Sequence, residues 1–174
     1  MAWIDADTDA DVEAAALLRA PAEEVFEFLA DLENHWRVAD RFVEVLELHR
    51  SGDGRAVGGV VRLRGPLGTR RTVTTRVAAA KAPRLLIGTA EIGATRARVS
   101  WSLAGHLEST RVRLSAKVER ATPLDRLLLR LGGRWWLRRR FAATLDTLSR
   151  ELPPRPTPPR SQRPDAGSPQ PSPS

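Results

Sequence analysis

The sequence predicts an α+β domain in which a curved antiparallel sheet wraps around a long C-terminal helix, with two short helices near the N-terminus. Three observations carry this. Between residues 42 and 118, apolar residues recur at every second position in runs separated by short, glycine-containing turns. From Pro123 to Leu152 the apolar spacing changes to three and four. Near the start, Pro21 introduces a short segment with the same helical spacing.

Residues 12–19 (VEAAALLR) read as the first strand. Pro21 suits the first position of a helix, and Glu23 and Glu24 follow where the helix dipole favours negative charge. Val25, Leu29 and Leu32 recur at i, i+4 and i+7 with Phe26 beside them, which gives one apolar face. A second short helix or turn carries Asn34, His35 and Trp36 and ends near Asp40. Residues 42–50 form the next strand, and Ser51-Gly52-Asp53-Gly54 supplies the positive φ angles of a hairpin turn. In residues 57–64, Val61 and Leu63 share one face and Arg62 and Arg64 the other. Gly65-Pro66-Leu67-Gly68 turns the chain, residues 71–77 alternate again, and Pro83 closes that strand. Residues 84–92 and 95–103 follow on either side of Gly93, the latter with Ala97, Val99, Trp101 and Leu103 inward. A turn at Gly105-His106 leads to residues 110–118, where Val112, Leu114, Ala116 and Val118 face in.

The helical stretch 123–152 carries two stripes. Leu137, Phe141, Leu145, Leu148 and Leu152 form one, and Leu124, Leu128, Leu131 and Trp135 form another. At about 100° per residue the two stripes are offset by roughly a quarter turn. A kink at Gly132-Gly133 is the expected device for bringing both to one sheet.

The 174 residues suit one domain. It is expected over residues 11–152, preceded by a flexible N-terminus (1–10) and followed by a Pro-rich tail (153–174). That tail holds nine prolines in 22 residues and almost no apolar side chains. It therefore cannot offset its ordering entropy by burial, and it is expected to be disordered with polyproline II character. The 41% hydrophobic and 28% charged composition fits a globular domain. With no cysteine, disulfides, thiolate catalysis and cysteine-held metal are excluded. No apolar run reaches the roughly 20 residues of a membrane span. The acidic opening MAWIDADTDAD lacks the pattern of a signal peptide, and a cytoplasmic location is expected. The net charge is +7, and 26 of the 28 cations are arginine, so the surface favours anionic partners.

The opening VEAAALLRAPAEEVFEFLADLENHWRVAD and the ending TPLDRLLLRLGGRWWLRRRFAATLDTLSREL resemble the START-like, or SRPBCC, superfamily in its polyketide cyclase/dehydrase and lipid-transport branch. In that family a strand leads through an Ala-Pro helix start to an apolar helix, an aspartate and a tryptophan-bearing segment. The last helix begins with a Pro-Leu loop and continues through a leucine-rich turn into a basic stretch. The resemblance spans residues 12–152 and implies the helix-grip fold, with an apolar cavity between the sheet and the last helix. This chain departs from the family at Ala20, where serine or threonine is usual, and it contains no tyrosine, a residue that ring-closing members often use.

The cavity expected from this reading is lined by Trp36, Phe42, Val61, Leu63, Val73 and Thr75 from the first half of the chain. Leu85, Ile87, Val99, Trp101, Leu114, Leu131 and Trp135 complete the lining. Trp36, Trp101 and Trp135 suit a flat or isoprenoid ligand, and equally suit plain core filling. Thr75 lies between Val73 and Val77 on an inward face, where its hydroxyl can orient a ligand or bond the backbone. Leu85, Ile87, Thr89 and Glu91 share one face of their strand, and Leu86, Ala90 and Ile92 the other. The sequence leaves open which face is inward. If the first is, Glu91 is a carboxylate in an apolar pocket with a raised pKa. His35 is the one histidine near a cavity mouth, though no partner group can be assigned to it, and a surface or helix-end role is the default. His49 and His106 have no metal-ligand spacing, and neither a metal nor a cofactor is expected.

Three functions follow in order. The first is binding of a small hydrophobic ligand (a lipid, isoprenoid or aromatic polyketide), which needs no catalytic group. The second, implied by the resemblance, is polyketide cyclisation or dehydration, with Thr75, Glu91 and His35 as nominees. The third is contact with RNA, ribosomes or an anionic membrane through the basic sheet face. That face carries Arg62, Arg64, Arg76, Arg96, Arg98, Arg111, Arg113 and Lys117, joined by Arg134 and Arg138–Arg140 of the last helix.

Overall fold

The computed structural model describes residues 10–39, 42–65, 68–106 and 108–152. The Pro-rich tail and the first nine residues lie outside this range. The order is β1 (Val12–Leu18), α1 (Ala22–Ala30), α2 (Leu32–Val38), β2 (Val43–Arg50), β3 (Ala56–Arg64), β4 (Arg70–Lys81), β5 (Leu85–Ile92), β6 (Thr95–His106), β7 (Ser109–Arg120), α3 (Pro123–Leu128) and α4 (Arg134–Glu151). A π-helical turn, Leu129–Gly133, joins α3 to α4.

The seven strands form one sheet in the order β1-β7-β6-β5-β4-β3-β2, every neighbouring pair antiparallel. The meander β2 to β7 follows from the period-two alternation and the short turns. Gly54, at φ 84°, closes the first hairpin, where its N–H donates to the Ser51 carbonyl at 2.9 Å. The strands β4, β6 and β7 run longer than the alternation alone indicates. In particular, the turn expected at Gly105-His106 is still strand, with Gly105 opposite Thr110 and His106 opposite Ser109.

The helix α1 starts one residue later than expected, with Pro21 as an extended N-cap. Asp31 separates α1 from α2, and its carboxylate accepts from the N–H of Glu33 at 3.0 Å and of Ala56 at 3.3 Å. One side chain thus caps a helix and ties it to β3.

The main core lies between β1, β5–β7, α1 and the C-terminal half of α4. It contains Leu18, Val25, Phe26, Leu29, Trp101, Leu103, Val112, Leu114, Leu145, Leu148 and Leu152. A smaller cluster, Ala39, Val43, Val61 and Val73, sits over the β2–β4 end of the sheet. Of the stripe Leu137, Phe141, Leu145, Leu148 and Leu152, the last three bury as expected and the first two are half-buried. The other stripe does not bury. The chain kinks at Gly132, whose φ of 125° few side chains tolerate, but the kink turns Leu124, Leu128, Leu131 and Trp135 away from the sheet.

Candidate functional site

The small cluster lies where the end of α2 packs on β2 and β3, with Ala39 against Val43, Val61 and Val73. Val61, Val73 and Ala90 face the helices here, and their half-buried neighbours are Trp36, Phe42, Leu63 and Ile92. Trp136 closes the α4 side, its ring edge-on to Phe42 with centroids 6.3 Å apart. The Arg140 guanidinium lies over both rings, 5.7 Å from Phe42 and 5.2 Å from Trp136. Stacked this way, Arg140 is a half-buried cation without an ion-pair partner among the described residues.

Two buried polar atoms in this region have no hydrogen-bond partner: the Trp36 indole Nε1 and the Thr75 hydroxyl. Thr75 belongs to the concave face, between Gly59 of β3 and Ala90 of β5. Buried polar groups are otherwise almost always paired, because leaving one unmet costs about 1–3 kcal/mol.

The strand β5 takes the register that turns Leu86, Ala90 and Ile92 inward. Leu86 pairs with Trp101, and Ala90 with Ala97. Leu85 and Ile87, expected in the cavity, instead pair with Ser102 and Ser100 on the convex face. Glu91 is on that face too, 3.7 Å from the Arg96 guanidinium, so it is not a carboxylate in an apolar pocket. Val99 stays on the concave side, packed against the main core, and Trp101 and Leu114 are buried within it. Leu131 and Trp135 are among the most exposed apolar residues of the chain. Of the expected lining, Trp36, Phe42, Val61, Leu63 and Val73 fall in the smaller cluster with Ala90 and Ile92, and Thr75 lies on the same sheet face as Val73. The cavity of about 540 Å³ that Trp36 borders is lined otherwise by Asp31, Glu33, Asn34, Arg37, Val43 and Val45.

His35 is buried rather than superficial. Its Nε2–H donates to the Leu29 carbonyl at 2.6 Å, and its ring lies 5.2 Å from that of Trp101. Burial drives its pKa from 6.5 down to about 4, against weaker upward pulls from the Leu29 carbonyl and Asp31. It is a neutral donor that fixes α2 against α1. His49 is engaged with Glu47 at 3.1 Å on the surface. Among the described residues no group of His, Asp and Glu could hold a metal ion.

Asp125, which the sequence does not single out, is a well-satisfied carboxylate at the start of α3. It accepts from Arg71 at 2.5 Å, from Thr95, and from the Thr122 hydroxyl at 2.9 Å. The Thr95 hydrogen bond, aided by Arg71 and Thr122, holds its pKa below the ordinary carboxylate value. Thr122 also caps α3 through the Asp125 N–H at 3.1 Å. Asp125 therefore pins the start of α3 to β4 and β6.

The convex face is less uniformly basic than its arginine count suggests. Glu44 lies near Arg62 and Arg64, and Glu119 near Arg96 and Arg98.

With this geometry in view, the comparisons with known proteins agree on its class. Residues 9–153 match the family described as polyketide cyclase / dehydrase and lipid transport, and the chain belongs to that family. No functionally curated protein matches the chain. Among solved structures, a START superfamily protein from Mycobacterium smegmatis aligns at 16% identity with a TM-score of 0.57, over 81% of this chain and 95% of its own. The Zhui aromatase/cyclase from Streptomyces sp. R1128 aligns at 23% identity with a TM-score of 0.60, over 81% of this chain and 92% of its own. A protein from Thermus thermophilus aligns at 21% identity with a TM-score of 0.60, over 81% of this chain and 95% of its own. At these identities the likeness is one of fold. No helix among the described residues is long and apolar enough to cross a membrane.

Proposed function

We propose that the chain binds a small hydrophobic ligand, of the lipid, isoprenoid or aromatic polyketide class, at the smaller apolar cluster between α2 and the β2–β4 end of the sheet. The carrying observation is the pair of buried polar atoms without partners, Trp36 Nε1 and Thr75 Oγ1, at and beside the smaller apolar cluster. An indole N–H only donates and a hydroxyl does both. A largely apolar molecule with one or two carbonyl or hydroxyl oxygens would satisfy them while burying its carbon skeleton at about 25 cal/mol per Å². The family's description supports the same class.

Binding is favoured over catalysis. His35 is a buried structural donor and Glu91 lies on the far face, so of the nominees only Thr75 remains, beside the smaller cluster. A threonine hydroxyl without a neighbouring base is not an activated nucleophile or an acid–base catalyst.

Native mass spectrometry of the protein purified from its own host, followed by extraction, tests the reading. A hydrophobic molecule at near one per chain is expected. Trp36→Phe and Thr75→Val should each weaken its binding by about fivefold to tenfold, the worth of one hydrogen bond. Protein that carries no such molecule and takes up none from a lipid extract would overturn the proposal.

A further inference from the structure

The segment from α3 to the first turn of α4 presents an apolar ridge to solvent. Leu124, Leu127, Leu128, Leu131 and Trp135 are between 46% and 74% exposed. Neither α3 nor the π turn contains a buried residue. Soluble proteins scatter exposed large apolar side chains singly, and a contiguous row marks an interaction surface.

Its charge identifies the partner. Residues 123–140 hold six arginines and one acid, Asp125, which Arg71 already pairs. Beside the ridge, a groove of about 200 Å³ between this arm and the end of β7 is lined by Arg120, Arg126, Arg130 and Arg134. Both acids at the groove are already engaged, Asp11 with the groove's own Arg134. Asp11 accepts from Arg134 and from the Val118 N–H, each at 2.8 Å, and Glu119 faces Arg96 and Arg98. Among the described residues Arg126 and Arg130 have no carboxylate partner. At the other end, Arg139 lies 4.8 Å over the Trp135 ring.

We propose that this arm docks on an anionic lipid bilayer. Leucines and Trp135 enter the headgroup–acyl boundary, the Arg-lined groove takes a lipid phosphate, and Arg139 stays with Trp135 at headgroup depth. A second copy of the chain would bring like charge against like charge. A nucleic acid would use the arginines but leave four leucines in water, with one aromatic ring to stack on.

The test is sedimentation of the full chain with vesicles of phosphatidylcholine, alone or with about 30 mol% phosphatidylglycerol. Binding should be at least about tenfold tighter with the anionic lipid and should weaken with salt. Leu131→Glu with Trp135→Glu alters only exposed positions, so it should keep the thermal midpoint while losing at least about tenfold in binding. Arg126→Gln with Arg130→Gln should weaken binding and flatten its salt dependence. No binding to anionic vesicles at low salt would overturn the proposal, as would undiminished binding by the ridge variant. Lipid-free self-association that the ridge variant abolishes would assign the ridge to a second copy instead.

Discussion

His35 links the fold to pH. In the unfolded chain it titrates near 6.5, and in the fold only near 4, because protonation would place a charge between α1 and Trp101. A histidine with a depressed folded pKa contributes its full stability above 6.5 and loses it as pH falls toward 4. The gap corresponds to about 3 kcal/mol. Denaturant unfolding at pH 7 and at pH 4.5 should show most of that loss, and His35→Gln, which keeps a donor but cannot titrate, should flatten it. Asp125 acts lower on the scale. Its folded pKa is also depressed, so its contribution is present above the ordinary carboxylate value and fades as pH falls through the folded one. Neither role is legible in the sequence. Arg71 and Thr95 lie 54 and 30 residues from Asp125, and His35 shows nothing locally that distinguishes a buried donor from a surface ring.

At the scale of elements, most of the sheet is legible because its strands bury one face. Ala97-Val99-Trp101-Leu103 and Val112-Leu114-Ala116 can point only one way if the polar alternates are to stay in water. In β5 that logic fails. Leu85, Leu86 and Ile87 are consecutive apolar residues, and pairing with β6 decides the face. The α3 stripe misleads for a different reason. An apolar stripe on a helix normally means core, and here it means a surface awaiting a partner. Substitution separates the two halves of the last helical stretch. Leu148→Ala should cost about 2–5 kcal/mol in equilibrium unfolding, and Leu128→Ala less than about 0.5 kcal/mol. Equal losses would contradict the packing described for both.

For the molecule as a whole, the family and fold are readable from the two ends of the chain. The candidate site is readable only in part: Trp36, Phe42, Val61, Leu63 and Val73 fall in the smaller cluster with Thr75 on the same face, Val99, Trp101 and Leu114 belong to the main core, and Leu85, Ile87, Leu131 and Trp135 lie outside both. A fold can be specified by alternation and turns, whereas a binding site depends on which atoms are left without partners once everything else has packed. Trp36 Nε1 and Thr75 Oγ1 become informative only at that stage.

The position of β1 carries a consequence in time. It precedes the sheet's other strands in the chain, yet among the described residues its one sheet neighbour is β7, with Val12 opposite Ala116 and Leu18 opposite Thr110. On a ribosome this strand must therefore wait, unpaired, while roughly a hundred residues emerge, and in refolding it closes the longest loop in the sheet. Pulse-labelled hydrogen exchange should find the β2–β3 and β4–β5 hairpin amides protected first, and those of β1 last and in step with β7.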